Sequence, residues 1–147
     1  MRRAAGFALL GVVLFVAAGC GSKKSESDEG ALNAEAKAAC NGSPLSASPK
    51  LPPSFPQIEA DKLTYTKQTT TGPTNVVEGY FNGDVKDAHD EFKKELTGAG
   101  YKILFDELED HDSEVSWKGE GRTGQVALRE ECGTDSKTYV HITNRPA

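Results

Sequence analysis

Residues 82–100 read Asn82-Gly83-Asp84-Val85-Lys86-Asp87-Ala88-His89-Asp90-Glu91-Phe92-Lys93-Lys94-Glu95-Leu96-Thr97-Gly98-Ala99-Gly100. Val85, Ala88, Phe92, Leu96 and Ala99 recur at steps of three and four, so they share one face of a helix, while Lys86, Asp90, Lys93 and Lys94 lie off it. Asp84 opens the helix with Asp87 three residues on, a spacing close to that of a capping box. Gly98 and Gly100 stop it. His89 flanks the apolar stripe, where a histidine is a boundary residue with a satisfied ring.

On both sides of this helix the period changes from about 3.6 to 2. Before it, Leu63, Tyr65 and Lys67 alternate with Thr64, Thr66 and Gln68, and Val77, Gly79 and Phe81 repeat on one side of a second strand. Thr71-Gly72-Pro73-Thr74 is the turn of that hairpin. After it, Tyr101, Ile103 and Phe105 alternate, followed by Val115 with Trp117, Val126 with Leu128, and Val140 with Ile142. Breaks fall at Asp110-His111-Asp112, at Gly119 to Gly124 and at Gly133-Thr134-Asp135. The order ββαββββ predicts an α+β domain over residues 57–147. Its expected form is a twisted antiparallel sheet of five to six strands with one amphipathic helix packed on one face. The other face is expected to be polar or half open, from the Thr64, Thr66, Gln68, Thr70 row and from Lys118, Arg129, Glu130 and Glu131.

At the amino terminus, Arg2 and Arg3 precede an apolar run from Ala4 that closes on Val16-Ala17-Ala18-Gly19-Cys20. From Ala4 to Ala18 there are only about 15 apolar residues, fewer than the roughly 20 that span a bilayer. The layout is that of an export signal, and its end resembles the lipobox of bacterial lipoproteins. That resemblance implies a signal peptide over 1–19, and Cys20 as the first mature residue, carrying acyl chains such as palmitate that hold the protein to a membrane. The domain would then sit in the cell envelope, facing away from the cytoplasm. In a two-membrane cell, Gly21 in place of the inner-membrane retention Asp implies the outer membrane.

With Cys20 taken for lipid, Cys40 and Cys132 remain, and an oxidising compartment closes such a pair, so a Cys40–Cys132 disulfide is expected. Residues 20–56 read as the lipidated cysteine and a flexible tether, Ser-rich and charged at first and Pro-rich over 41–56. The sequence carries a formal net charge of −5, and about −7 once residues 1–19 are removed. With no basic stripe in the sequence, nucleic acid and anionic lipid surfaces are poor partners.

Chemistry is sparse. Asp110-His111-Asp112 offers ligand atoms, but consecutive residues of a strand point to alternate sides, and turn propensity explains the trio, so no metal is expected. Gly119 to Gly124 lacks the strand-then-helix setting of a phosphate loop and reads as a hairpin turn. No G-x-S-x-G element occurs. Carboxylates such as Glu107 and Glu109, or Glu114 and Glu120, pair by chance in an acidic surface. An enzyme would need His89, His111 or His141 to meet a carboxylate and a hydroxyl in one cleft. The expectation is therefore a non-catalytic, cofactor-free envelope lipoprotein that binds a protein or a wall component. Tyr139 and His141 are its possible contact surface, unless the leash covers them. The alternative is a carrier of a small apolar ligand in a groove between helix and sheet lined by Phe81, Phe92, Ile103 and Trp117.

Overall fold

The computed structural model describes residues 34–130, 132–133 and 136–147. The expected signal peptide and Cys20 lie outside the described residues. Helical residues 34–40 form α1. They are followed by β1 (Leu63–Thr71), β2 (Thr74–Asn82), α2 (Val85–Gly98), β3 (Lys102–Leu108), β4 (Asp112–Gly119), β5 (Arg122–Arg129) and β6 (Lys137–Pro146).

The α+β class and the antiparallel six-stranded sheet are as read from the sequence; the order in space is not sequential. The sheet runs β1-β2-β6-β5-β4-β3 with every neighbour pair antiparallel. The last strand enters between the hairpin and the β3–β5 meander, and α2 carries the chain across to the far edge. A short helix, α1, also precedes the expected ββαββββ series.

α2 forms where its stripe dictates. Asp84 caps it by accepting the Asp87 N–H at 2.7 Å, and Val85, Ala88, Phe92 and Leu96 are buried. Ala99, expected on the stripe, is the C-cap, and Gly100 turns the chain with a φ of +85° that only glycine adopts freely. On the sheet face that α2 packs against, Val77, Val115, Trp117, Val126, Leu128, Val140 and Ile142 are all fully buried. Trp117 fits because its neighbour across the strand pair is Gly124; a Cβ there would come within 2.4 Å of the indole and 2.2 Å of the Thr143 carbonyl.

The Pro-rich segment is extended, but it is part of the domain. The Leu45 N–H donates to the Tyr65 carbonyl at 2.8 Å, so the segment covers part of the free edge of β1. The Asn144 amide then donates to the Lys50 carbonyl, and the Lys50 N–H donates to the Gln68 amide oxygen. Phe55 enters the core, with ring centroids 5.5 Å from Trp117 and 6.2 Å from Tyr101. The stretch expected as a tether over 20–56 is thus corrected for residues 34–56: Ala36, Ala39, Cys40 and Phe55 are buried side chains, and only residues 21–33 remain for a leash.

The Cys40–Cys132 disulfide is present, with Cα atoms 5.4 Å apart and the two cysteines separated by 92 positions in the chain. It pins α1 to the sheet face opposite α2, where Ala36, Ala39 and Cys40 pack with Cys132 and Tyr139, and Tyr80 rests against them. Closing a loop of that size removes about 4–5 kcal/mol of denatured-state entropy in the chain model. We predict that Cys40→Ser with Cys132→Ser lowers the urea-unfolding free energy by roughly that amount. Phe55→Ala should cost about 3–5 kcal/mol by emptying a filled core site, whereas a substitution in a loose tether would cost nothing.

Candidate binding surface

Three places gather polar or exposed side chains, and they differ in what reaches solvent. The first lies under α1. Glu78, on β2, points to the α1 side of the sheet and is 2 % exposed. The Tyr139 hydroxyl donates to Glu78 Oε1 at 2.7 Å, and Lys67 Nζ lies 2.7 Å from Oε2. Lys67 also pairs with Glu35 of α1. Lys67 reaches this face because a bulge between Tyr65 and Lys67 shifts the register of β1. A buried carboxylate without partners would be strongly unfavourable, so α1 and these partners hold the site together.

Tyr139 and His141 belong to this closed network. Tyr139 is buried under α1, and His141 beside it is half-buried, their rings 6.3 Å apart. The expected contact surface is corrected here: α1 covers Tyr139, and His141 beside it is half-buried. Burial holds the His141 imidazole below its ordinary 6.5, against the pull of Glu78 and Glu35.

The second place lies between α2 and the sheet. His89 Nδ1 is 2.7 Å from Ser113 Oγ, and His89 Nε2 is 3.2 Å from Asp106 Oδ1, with Lys93 paired to the same carboxylate. A hydroxyl, an imidazole and a carboxylate are in series, as acyl-transfer chemistry requires. Yet Ser113 is 2 % and His89 4 % exposed, so the oxygen that would attack meets protein rather than substrate. The geometry fits a buried histidine whose two nitrogens are both satisfied, one by β4 and one by β3.

The other sequence candidates are surface pairs. His111 meets Glu130, and Asp112 meets Arg129 at 3.1 Å. Among the described residues no three His, Cys, Asp or Glu side chains converge as a metal site. Glu120 and Gly121, with φ of +50° and +70°, make the two-residue turn between Gly119 and Arg122, so the glycine run is a hairpin turn.

The third place is the free edge and the open half of the α1-side face. A register shift between Ile103 and Phe105 makes Leu104 an extra residue opposite β4. Ile103 pairs with Trp117 on the α2 side, whereas Phe105 pairs with Ser116 on the other side. Leu104 is 51 %, Phe105 48 % and Leu108 41 % exposed. Beside them an open groove of about 440 Å³ runs along Ser116, Thr123, Gln125, Thr143 and Arg145. The alternation of Tyr101, Ile103 and Phe105 placed Phe105 inward; the bulge turns it out. Asp106, just past the bulge and facing His89 and Lys93, is the signal that alternation does not continue.

No family model matches this chain, and neither do any curated proteins or solved structures.

Three outcomes follow from these placements. Ser113→Ala leaves His89 Nδ1 unpaired in a dry site and should lower stability by about 1–3 kcal/mol. A fluorophosphonate probe should leave Ser113 of the folded protein unlabelled; a stoichiometric adduct in the mass spectrum would contradict the burial argument. The unfolded chain protonates His141 at higher pH than the folded one does, so this residue's contribution falls as pH drops below about 6.5. Urea midpoints measured from about pH 7 to about pH 5 should therefore decline, and His141→Gln should flatten part of that decline.

Proposed function

We propose that this protein is a lipid-anchored, non-catalytic component of the cell envelope that works by binding, and that β3 with the open half of the sheet beside it is the binding surface. One observation carries the reading: two large apolar side chains, Leu104 and Phe105, stand exposed side by side on an edge strand next to the groove, while Leu108, in register with Ser113, is exposed on the α2 side. Edge strands offer unpaired backbone groups, and proteins ordinarily protect them. Here the β1 edge has the Leu45 segment against it, and among the described residues β3 has the bulge and no segment paired along it. Exposed apolar side chains grouped beside a groove mark a contact site.

The carrier reading has little room. Phe81, Phe92 and Trp117 share one buried cluster, and Ile103 packs against it. A ligand between helix and sheet would have to displace close-packed side chains. Anchoring through Cys20 rests on the resemblance of residues 16–20 to a lipobox.

Intact mass of protein purified from its host membranes should show a chain starting at Cys20 and carrying acyl groups. For the surface, Phe105→p-benzoylphenylalanine retains an aromatic ring and reports what touches it. Irradiation in native envelopes should give an adduct at position 105 and none from the same probe placed at Lys37 on α1. Adducts at position 37 alone would move the surface to the other half of the face.

A further inference from the structure

We infer that the occupant of this surface is an anionic lipid bilayer, so that the domain lies against the membrane rather than standing off it. The inference rests on the anchored-binding reading and names its partner. Its first support is a charge pattern that the sheet assembles and the sequence conceals. The register Lys102↔Lys118↔Thr123↔Arg145 places three cations, from β3, β4 and β6, in one row across the sheet, on the same face as Phe105. At about 4.8 Å per strand the row spans roughly 14 Å. Lys102, Lys118 and Arg145 are exposed, and among the described residues none has a carboxylate within 4 Å. The nearby Glu120 is turned away, accepting from the Ser54 N–H and from the Tyr101 hydroxyl.

The adjacent row on the same face holds Phe105, Ser116, Gln125 and Thr143, with Leu104 beside it. Cations next to exposed Leu and Phe suit a bilayer surface: the charges meet anionic headgroups while the apolar side chains enter the headgroup–acyl boundary. The carboxylates of this face, Glu107 and Glu114, sit in register with each other beyond Phe105, with Glu114 accepting from Gln125, whereas Asp106 turns to α2, so the positive end has a defined orientation.

The second support is the place of α1 on the sheet. Glu35 pairs with Lys67, opposite Glu78, which is itself in register with His141. α1 therefore lies on the same face as the cation row. Thirteen residues separate Cys20 from Ala34 in the sequence, and even at full extension they reach about 45 Å. A lipid on Cys20 would keep α1, and with it this face, within that reach of the bilayer.

The test uses the mature protein purified from its host, whose intact mass reports acylation of Cys20 separately. Amide hydrogen exchange is compared on vesicles of mixed phosphatidylglycerol and phosphatidylcholine and on phosphatidylcholine alone. Exchange over Lys102–Leu108 should slow by about tenfold or more on the anionic vesicles only, and raised salt should reverse the effect. Charge reversal by Lys102→Glu, Lys118→Glu and Arg145→Glu, all exposed and so without a core cost, should abolish it while leaving any acylation unchanged. Equal exchange on the two vesicle types would overturn the inference. So would protection that appears only with rising protein concentration, which would assign the edge to a second copy, or only after addition of envelope proteins. If Cys20 proves unmodified but anionic vesicles still protect β3, the anchoring reading fails and the lipid contact stands.

Discussion

Six strands spaced about 4.8 Å apart make a sheet roughly 24 Å across, and one helix with its side chains covers about 10–12 Å of it. That mismatch governs the rest of the structure. α2 lies over β3, β4 and β5, so the buried row that continues through β6 and β2 needs a second cover. The segment before the sheet reaches it through the Asn144–Lys50 hydrogen bond, and its Leu51, Phe55 and Ile58 join the same core. The opposite face meets the same difficulty at Tyr80 and Tyr139, and there α1 is the cover. The amino-terminal segment therefore serves both faces and protects part of the β1 edge between them.

These covers explain what was legible in the sequence. Periodicity in a local window finds elements that fix their own hydrogen bonds and their own buried face. The α2 stripe, the Thr71–Thr74 turn and the alternating strands were readable for that reason, and the disulfide followed from counting thiols. Residues 34–56 were misread because their composition is poor in large apolar side chains and rich in proline. Phe55 alone anchors much of that segment, and one phenylalanine among prolines gives no period. The crossover order was hidden for a related reason: a local pattern does not say that β6 inserts beside β2.

The candidate site was harder to read because it depends on one extra residue. Shifting a strand by one position moves its side chains to the other face. At Leu104 this puts Phe105 outside and Asp106 inside. The same shift builds the Ser113–His89–Asp106 series, because an inward Asp106 meets the helix where His89 faces the sheet. Motif spacing could not reveal that series, since its members come from α2, β3 and β4. Its burial separates it from a working nucleophile, although the three groups alone satisfy the chemical pattern. Together with the Glu78–Lys67–Tyr139 network, it places a fully partnered polar cluster on each side of the sheet. Slipping a strand or lifting a cover would strand a buried charge or ring nitrogen, and this penalty favours a single register.

The charges of β3 also constrain what can meet its edge. Two copies pairing in parallel and in register along β3 would set Asp106 and Glu107 each against its own copy. Like charges set opposite one another destabilise a strand pair. The apolar side chains invite a contact, and the carboxylates disfavour that in-register pairing. The cations lie at the other end of the strand and continue across β4 to β6 on one face, beyond reach of a single added strand. A partner satisfying the whole surface must therefore be broad, negatively charged and apolar just beneath its charge, rather than one more strand on the edge.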